Sequence, residues 1–346
     1  ALHQASNFLK DKQIVFQPGI NEDLAATALH GTQQTTLVDN PKHDGVFGIW
    51  FGKGPGVDRS GDALKHGNYA GSSKHGGVLA LAGDDHAAKS STTAHQSDHA
   101  FIHFGMPILN PATVQDYIDF GLMGIAMSRY SGCWIGMKCI TDTVESAASV
   151  DIGLKRFKPV LPDISDEEGD LHLQWGYMPA MSESRLYKQR LPAAQAFARA
   201  NSIDRVIFQG QKKLAIVTSG KAYLDVRQSL DELGLSEKLC SKIGISLYKV
   251  GMVWPLEPKN ISNFVNGNEE VLVVEEKRPI VEDQLMKYLY NEKDRPLIIG
   301  KKDEFGNDLV PSEGELSPSQ IALIIAKRIK GLSLNIELES KVEEIE

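Results

Sequence analysis

Cysteine is scarce in this 346-residue chain; Cys133, Cys139 and Cys240 are its three. They are too few for a disulfide framework and too scattered for a zinc or iron–sulfur site. Cys133 and Cys139 flank the strand-like core of "GCWIGMKC" and share one face of it, which reads as a pair of buried structural thiols. No apolar run approaches the roughly 20 residues of a membrane helix, and no signal peptide is visible, so a soluble protein of the reducing cytoplasm is expected. A basic surplus is also lacking. The net charge of −8 leaves nothing to neutralise phosphates and argues against nucleic-acid binding. P-loop, dinucleotide and G-x-S-x-G signatures are all missing. There is no initiator Met, and "ALHQASNFL" already reads as helix, so the chain looks like a piece of something longer.

What is present is uneven. All ten histidines lie at or before His172, and eleven glycines crowd residues 45–83. With 42% hydrophobic residues, the chain is expected to form about two globular domains. In the first half, short apolar segments bounded by Gly or Pro read as buried strands: "QIVFQ", "GVFGIWF", "GGVLALAG", "MPILN" and "CWIGMKC". Helical patterns fall between them, at 21–34, about 58–69, about 93–104 and 112–129. This alternation predicts an α/β, doubly wound parallel sheet, whose ligands bind at the carboxyl ends of strands. Residues 161–211 read as a connector, entered through an acidic, Pro-containing excursion at 156–170 and carrying a helix at 182–201 that Pro192 starts or kinks. From "KKLAIVTSG" onward a second, smaller α/β domain is expected. "SPSQIALIIAKRIKG" carries a capping-box pattern, and the acidic end is expected to be solvated.

Three loops follow strands and should meet at one sheet edge. In "VFQPGINEDLAATALHG", Asn21 suits an N-cap and Glu22 lies in the first turn beside Ala25 and Ala26. A first-turn carboxylate offsets the helix dipole, and from composition alone that is the ordinary explanation. In "FGKGPGVDR", closely spaced glycines around Lys53, Gly54 and Arg59 could admit an anion. In "GDDH", Asp84, Asp85 and His86 follow a strand. His95, His99 and His103 fall at i, i+4 and i+8, a metal-site alternative that lacks the Glu of the zincin arrangement.

Several segments in order, among them "VFQPGINEDLAATALHGTQQ", the block from "FGKGPGVDRSGDALKHGN" through "GDDHAAKSSTTAHQSDHAF", "SRYSGCW", "YKVGMVWPLEP" and "VLVVEEKR", resemble the long fused form of indolepyruvate ferredoxin oxidoreductase. That family is thiamine diphosphate-dependent and acts on 2-oxo acids. The resemblance implies a pyrimidine-binding domain over residues 1–160 lacking its first strand. It also implies a transketolase carboxyl-terminal-like domain over 212–300 and a tail at 301–346 leading to absent domains. It implies oxidative decarboxylation of indolepyruvate or another aryl pyruvate to an acyl-coenzyme A, with electrons passed to ferredoxin. Glu22 matches the family's thiamine glutamate. The candidate cofactor-contacting set is Asn21, Glu22, Ala25, Lys53, Gly54, Arg59, Asp84, Asp85 and His86, with Glu22 catalytic.

The magnesium-binding Gly-Asp-Gly…Asn motif and the iron–sulfur cysteine clusters do not occur here. Half a thiamine diphosphate site is therefore expected, with magnesium and iron–sulfur clusters on other domains. Expected partners are the diphosphate-binding and gamma-type domains or subunits, ferredoxin, coenzyme A and a second copy in a homodimer. The isolated chain is expected to be inactive. A non-catalytic assembly subunit of the same fold and a metal-dependent hydrolase are the alternatives.

Overall fold

The computed structural model describes residues 2–163, 170–174, 176, 179–334, 336 and 338–345. Two five-stranded sheets organise them. The first contains β1 (Phe47–Lys53), β2 (Gly77–Asp84), β3 (Ile108–Leu109), β4 (Ile135–Ile140) and β8 (Met252–Trp254), in the order β1-β2-β4-β3-β8. The second contains β5 (Arg205–Phe208), β6 (Leu214–Ser219), β7 (Ile245–Val250), β9 (Glu270–Val274) and β10 (Leu297–Ile299), in the order β10-β9-β6-β7-β5. Every pairing is parallel except β3 with β8 and β5 with β7, so each sheet carries one antiparallel edge strand.

The pattern follows from burial. Strands β6, β7 and β9 are buried at every position, as apolar runs covered on both faces must be. Strand β8 comes from the second half of the chain yet completes the first sheet. One apolar core runs through both sheets, including Trp50, Phe101 and Trp134 from the first half and Tyr248, Phe264 and Val273 from the second.

Several expectations change. The segment 13–17 forms no strand; it carries no regular structure, and Val15 is 86% exposed. The glycine-rich segment after β1 is helical from Gly54 to Arg59, with Pro55 in its first turn, and a second helix runs Gly61–Ala70. Pro fits there because the N–H it lacks has no intrahelical partner. The helix expected from residue 93 begins only at Asp98, so His95 lies outside it and the three histidines do not share one helical face. Around Pro192 the chain stays helical. A π-helical turn, Leu186–Arg190, precedes the helix Leu191–Ala200, widening the backbone ahead of a ring that would crowd the preceding carbonyls. Residues 164–169 of the acidic excursion lie outside the described residues.

The helix Glu22–Gln33 starts at Asn21, whose side-chain oxygen accepts from the Leu24 N–H at 3.0 Å. The capping box at Ser317 and Gln320 opens the helix Pro318–Gly331. No helix among the described residues is long and apolar enough to cross a membrane.

Candidate functional site

Strands β1 and β2 are parallel neighbours, with Lys53 opposite Gly83 at their carboxyl ends. The two loops that follow therefore emerge side by side. Lys53 Nζ crosses between them, donating to the Ser90 carbonyl at 2.8 Å and to its hydroxyl at 3.2 Å. Asp85 holds the other side of this loop, accepting from the N–H groups of Lys89 at 2.8 Å and Ser90 at 2.7 Å. The Ser90 N–H bond leads in keeping the Asp85 carboxyl below its ordinary pKa.

The Glu22 turn joins the same edge. Trp50, on β1, donates its indole N–H to the Glu22 carbonyl at 2.9 Å. A Cβ built at Gly56 would lie 2.7 Å from Glu22 Cγ, so the glutamate side chain occupies the space that residue 56 leaves open. Gly54 makes the same allowance for the His95 ring, 2.4 Å from its absent Cβ. His95 then meets Asp58 at 3.3 Å. The glycines after β1 thus admit side chains. Arg59 pairs with Asp23 at 3.2 Å, while no described residue hydrogen-bonds or ion-pairs with the Glu22 carboxylate. Ala25 packs against the core beside the fully buried Ala26 on this helix.

The "GDDH" residues point elsewhere. Asp84 is 3% exposed and accepts from the Ser97 N–H at 2.8 Å and its hydroxyl at 2.5 Å. Burial raises its pKa, opposed by the nearby Lys138. Lys138 itself bonds Asp98 at 2.6 Å, with both side chains buried. His86 is 4% exposed and faces the second sheet. Its carbonyl accepts from Lys277 Nζ at 2.8 Å, and its Nδ1 lies 3.9 Å from Glu276. Desolvation, with the charge of Lys138 behind it, brings the imidazole down to about 2, so it is neutral. Gln96 closes the contact in both directions, donating to the Arg278 carbonyl at 2.9 Å and accepting from its N–H at 3.1 Å. Between the sheets remains a narrow polar cavity of about 20 Å³, bordered by His86, Asp98, Lys138, Lys221 and Glu276.

The structure therefore brings Asn21, Glu22, Ala25, Lys53, Gly54 and Arg59 to one region of the first sheet's carboxyl edge. Asp84, Asp85 and His86 start from the same edge but direct their side chains into loop support and the contact with the second sheet. Sequence reasoning missed Trp50, Lys138, Asp98 and Lys277. The one available signal was Lys138, a charge inside the apolar strand "IGMKCI". No group of three or more His, Cys, Asp or Glu residues among the described residues could hold a metal ion. The cysteines are inert in this setting: burial pushes Cys133 up to about 11 and both Cys139 and Cys240 up to about 12.

Comparison with known proteins agrees with this architecture. Residues 204–346 match the model of the indolepyruvate oxidoreductase domain. The chain is 22% identical over 317 residues to the indolepyruvate oxidoreductase subunit IorA of Methanothermobacter marburgensis, covering 88% of this chain and 47% of that protein. It is 26% identical over 284 residues to the IorA subunit of Pyrococcus abyssi, covering 78% of this chain and 41% of the relative. The chain thus spans less than half the length of these curated relatives. Among solved structures, a 2-oxoglutarate:ferredoxin oxidoreductase from Magnetococcus marinus superposes with a TM-score of 0.63 at 13% identity, over 94% of this chain and 59% of that one. A split-gene transketolase, described as an inactive beta4 tetramer, superposes with a TM-score of 0.57 at 15% identity, over 97% and 89%. At such identities the superpositions establish the fold, an α/β arrangement, and nothing about activity.

Proposed function

We propose that this protein belongs with the indolepyruvate ferredoxin oxidoreductases and supplies the pyrimidine side of a thiamine diphosphate site in a 2-oxoacid:ferredoxin oxidoreductase. The substrate class is indolepyruvate or another aryl pyruvate, oxidatively decarboxylated to an acyl-coenzyme A with electrons delivered to ferredoxin. The observation that carries this reading is the contrast between two neighbouring acids. Asp23 is paired with Arg59. Glu22, one residue earlier, is held over Gly56 at the carboxyl edge of a parallel sheet with no partner for its carboxylate among the described residues. A helix-capping acid needs no cleared space.

The residues present fit the cofactor on that ground. The space opened by Gly56 admits the acidic side chain that would meet the pyrimidine ring, while Ala25 and Ala26 pack into the core and hold the helix under it rather than lining the ring. When bound, thiamine diphosphate supplies the carbanion equivalent that makes loss of carbon dioxide from a 2-oxo acid feasible. This chain's part is positional and protonic. The Glu22 carboxyl would hydrogen-bond the aminopyrimidine ring of the bound cofactor and so favour the tautomer the chemistry requires. Asn21 fixes the start of the helix, and Trp50 fixes its first turn against β1. Lys53 and Asp85 brace the neighbouring loop, and the contacts from His86 and Gln96 set the first sheet against the second. The diphosphate and magnesium contacts, the iron–sulfur clusters, coenzyme A and ferredoxin belong in this reading to other domains or subunits, with a homodimer as the assembly unit.

The test is reduction of ferredoxin by the assembled enzyme containing this chain, with indolepyruvate and coenzyme A supplied together. Reduction that requires thiamine diphosphate and this chain is expected, with no turnover by the purified chain alone. Turnover by the chain without other subunits, or no reduction with any aryl pyruvate, would overturn the reading.

A further inference from the structure

Residue 56 presents a local contradiction. It lies in the helix Gly54–Arg59, where alanine is the better helix former by about 1 kcal/mol. Its φ is not in the left-handed region, so the backbone does not demand glycine. The reason lies across the interface. A Cβ at this position would come within 2.7 Å of Glu22 Cγ and 3.2 Å of both Cδ and Oε1. Real Cβ atoms essentially never approach below 3.0 Å, so any other residue would push the glutamate side chain away. Trp50 acts from the other direction. Its indole is 2% exposed, and its N–H holds the Glu22 carbonyl at 2.9 Å. One contact fixes the backbone of the residue and the other clears the volume its carboxyl fills.

We propose that Gly56 and Trp50 are positioning residues that set where the Glu22 carboxyl points. This rests on the reading of Glu22 as the acid that addresses the cofactor. Gly56 governs side-chain placement and Trp50 the height of the helix start above β1. Because both act through geometry, their loss should appear in proton chemistry at the cofactor before it appears in affinity for the 2-oxo acid. A carboxyl displaced by an ångström is still present but loses the alignment on which proton transfer depends.

The experiment uses the assembled enzyme loaded with thiamine diphosphate and compares Gly56→Ala, Trp50→Phe, Glu22→Gln and Gly31→Ala. Gly31 is on the same helix as Glu22, and a Cβ there would meet nothing within 4 Å. Three readouts are taken: the exchange rate of the cofactor C2 proton, kcat separately from KM, and the thermal midpoint. A fourth uses cofactor-free protein labelled with ¹³C in its glutamates, with the Glu22 carboxyl resonance assigned by its loss in Glu22→Gln. Gly56→Ala and Trp50→Phe are expected to slow C2 exchange and kcat by roughly tenfold or more while KM stays near wild type; the midpoint should hold in Gly56→Ala and fall in Trp50→Phe, which loses buried ring volume and its indole donor. The Glu22 resonance should move in both, and Gly31→Ala should match wild type throughout. If Glu22→Gln abolishes exchange while Gly56→Ala and Trp50→Phe exchange normally, the positioning proposal is overturned and the reading of Glu22 stands. If Glu22→Gln itself exchanges normally, that reading falls and the proposal with it. Should Gly56→Ala not fold, Trp50→Phe decides: normal exchange there overturns the proposal.

Discussion

Lys277 donates its ammonium to the backbone carbonyl of His86 at 2.8 Å, joining residues 191 positions apart. The bond ties the loop after β2 to the loop after β9, and thereby one sheet to the other. Lys277→Met keeps the aliphatic stem and removes the donor. It should lower stability by about 1–2 kcal/mol, the usual worth of a hydrogen bond to a charged group in a half-buried setting. Amide hydrogen exchange over residues 84–97 should accelerate. Unchanged exchange in that loop would mean that Gln96 and Arg278 hold it without help.

Lys138 and Asp98 form the most sheltered ion pair at this junction, 2.6 Å apart with side chains 7% and 3% exposed. Lys138→Met leaves Asp98 buried without its cation and Asp84 close by. Its cost should be about 3–5 kcal/mol. Adding Asp98→Asn to the same protein should recover much of that loss, because the stranded charge is gone. Denaturant midpoints of the wild type, both single variants and the double variant measure the coupling. Additive effects would contradict a direct pair.

His86 gives a pH dependence of known sign. Folding holds its imidazole at about 2, through desolvation first, against an ordinary value of 6.5. Between those values the unfolded chain binds a proton that the folded chain refuses. The contribution of this residue to stability is therefore complete above pH 6.5 and is lost as pH falls, by up to about 1.4 kcal/mol per pH unit. His86→Gln should be less acid-sensitive than wild type. Glu275, raised from 4.5 to about 7 by burial, works in the opposite sense: its contribution is complete below pH 4.5 and is lost as pH rises to 7, but it is common to both proteins and cancels in the comparison. Urea midpoints at pH 7.5, 6.0 and 5.0 provide the test. Parallel pH profiles for the two proteins would show that His86 is protonated in the fold.

The fold was legible wherever burial alone decides structure. The cores of β2, β4, β6 and β7 and the helix Pro258–Val265 appear as apolar runs or capped periodic segments, and the structure places them there. Segment 13–17 has the same apolar texture as a strand yet finds no neighbour to pair with, which a sequence pattern does not reveal. β8 is three residues long, too short for any periodicity, and its place in the first sheet is set by long-range contacts. The glycines at 54 and 56 read as flexibility around an anion. Their role is steric, through His95 and Glu22, and only the packed structure shows those partners. Asp84 and Asp85 announced themselves as polar residues after a strand, but their hydrogen bonds to Ser97 and Ser90 depend on how the following loop folds back.

The central claim is that the Glu22 carboxyl serves the cofactor rather than its own helix. Glu22→Gln in the assembled enzyme tests it most directly, with C2 proton exchange of bound thiamine diphosphate measured before any 2-oxo acid is added, alongside the thermal midpoint. The account predicts an exchange rate reduced by roughly 10²-fold or more with cofactor affinity and midpoint largely kept, since the amide is isosteric and polar. Exchange at the wild-type rate, with a stability change of about 0.3–1 kcal/mol, is what a first-turn acid opposing the helix dipole would give, and that result would contradict it.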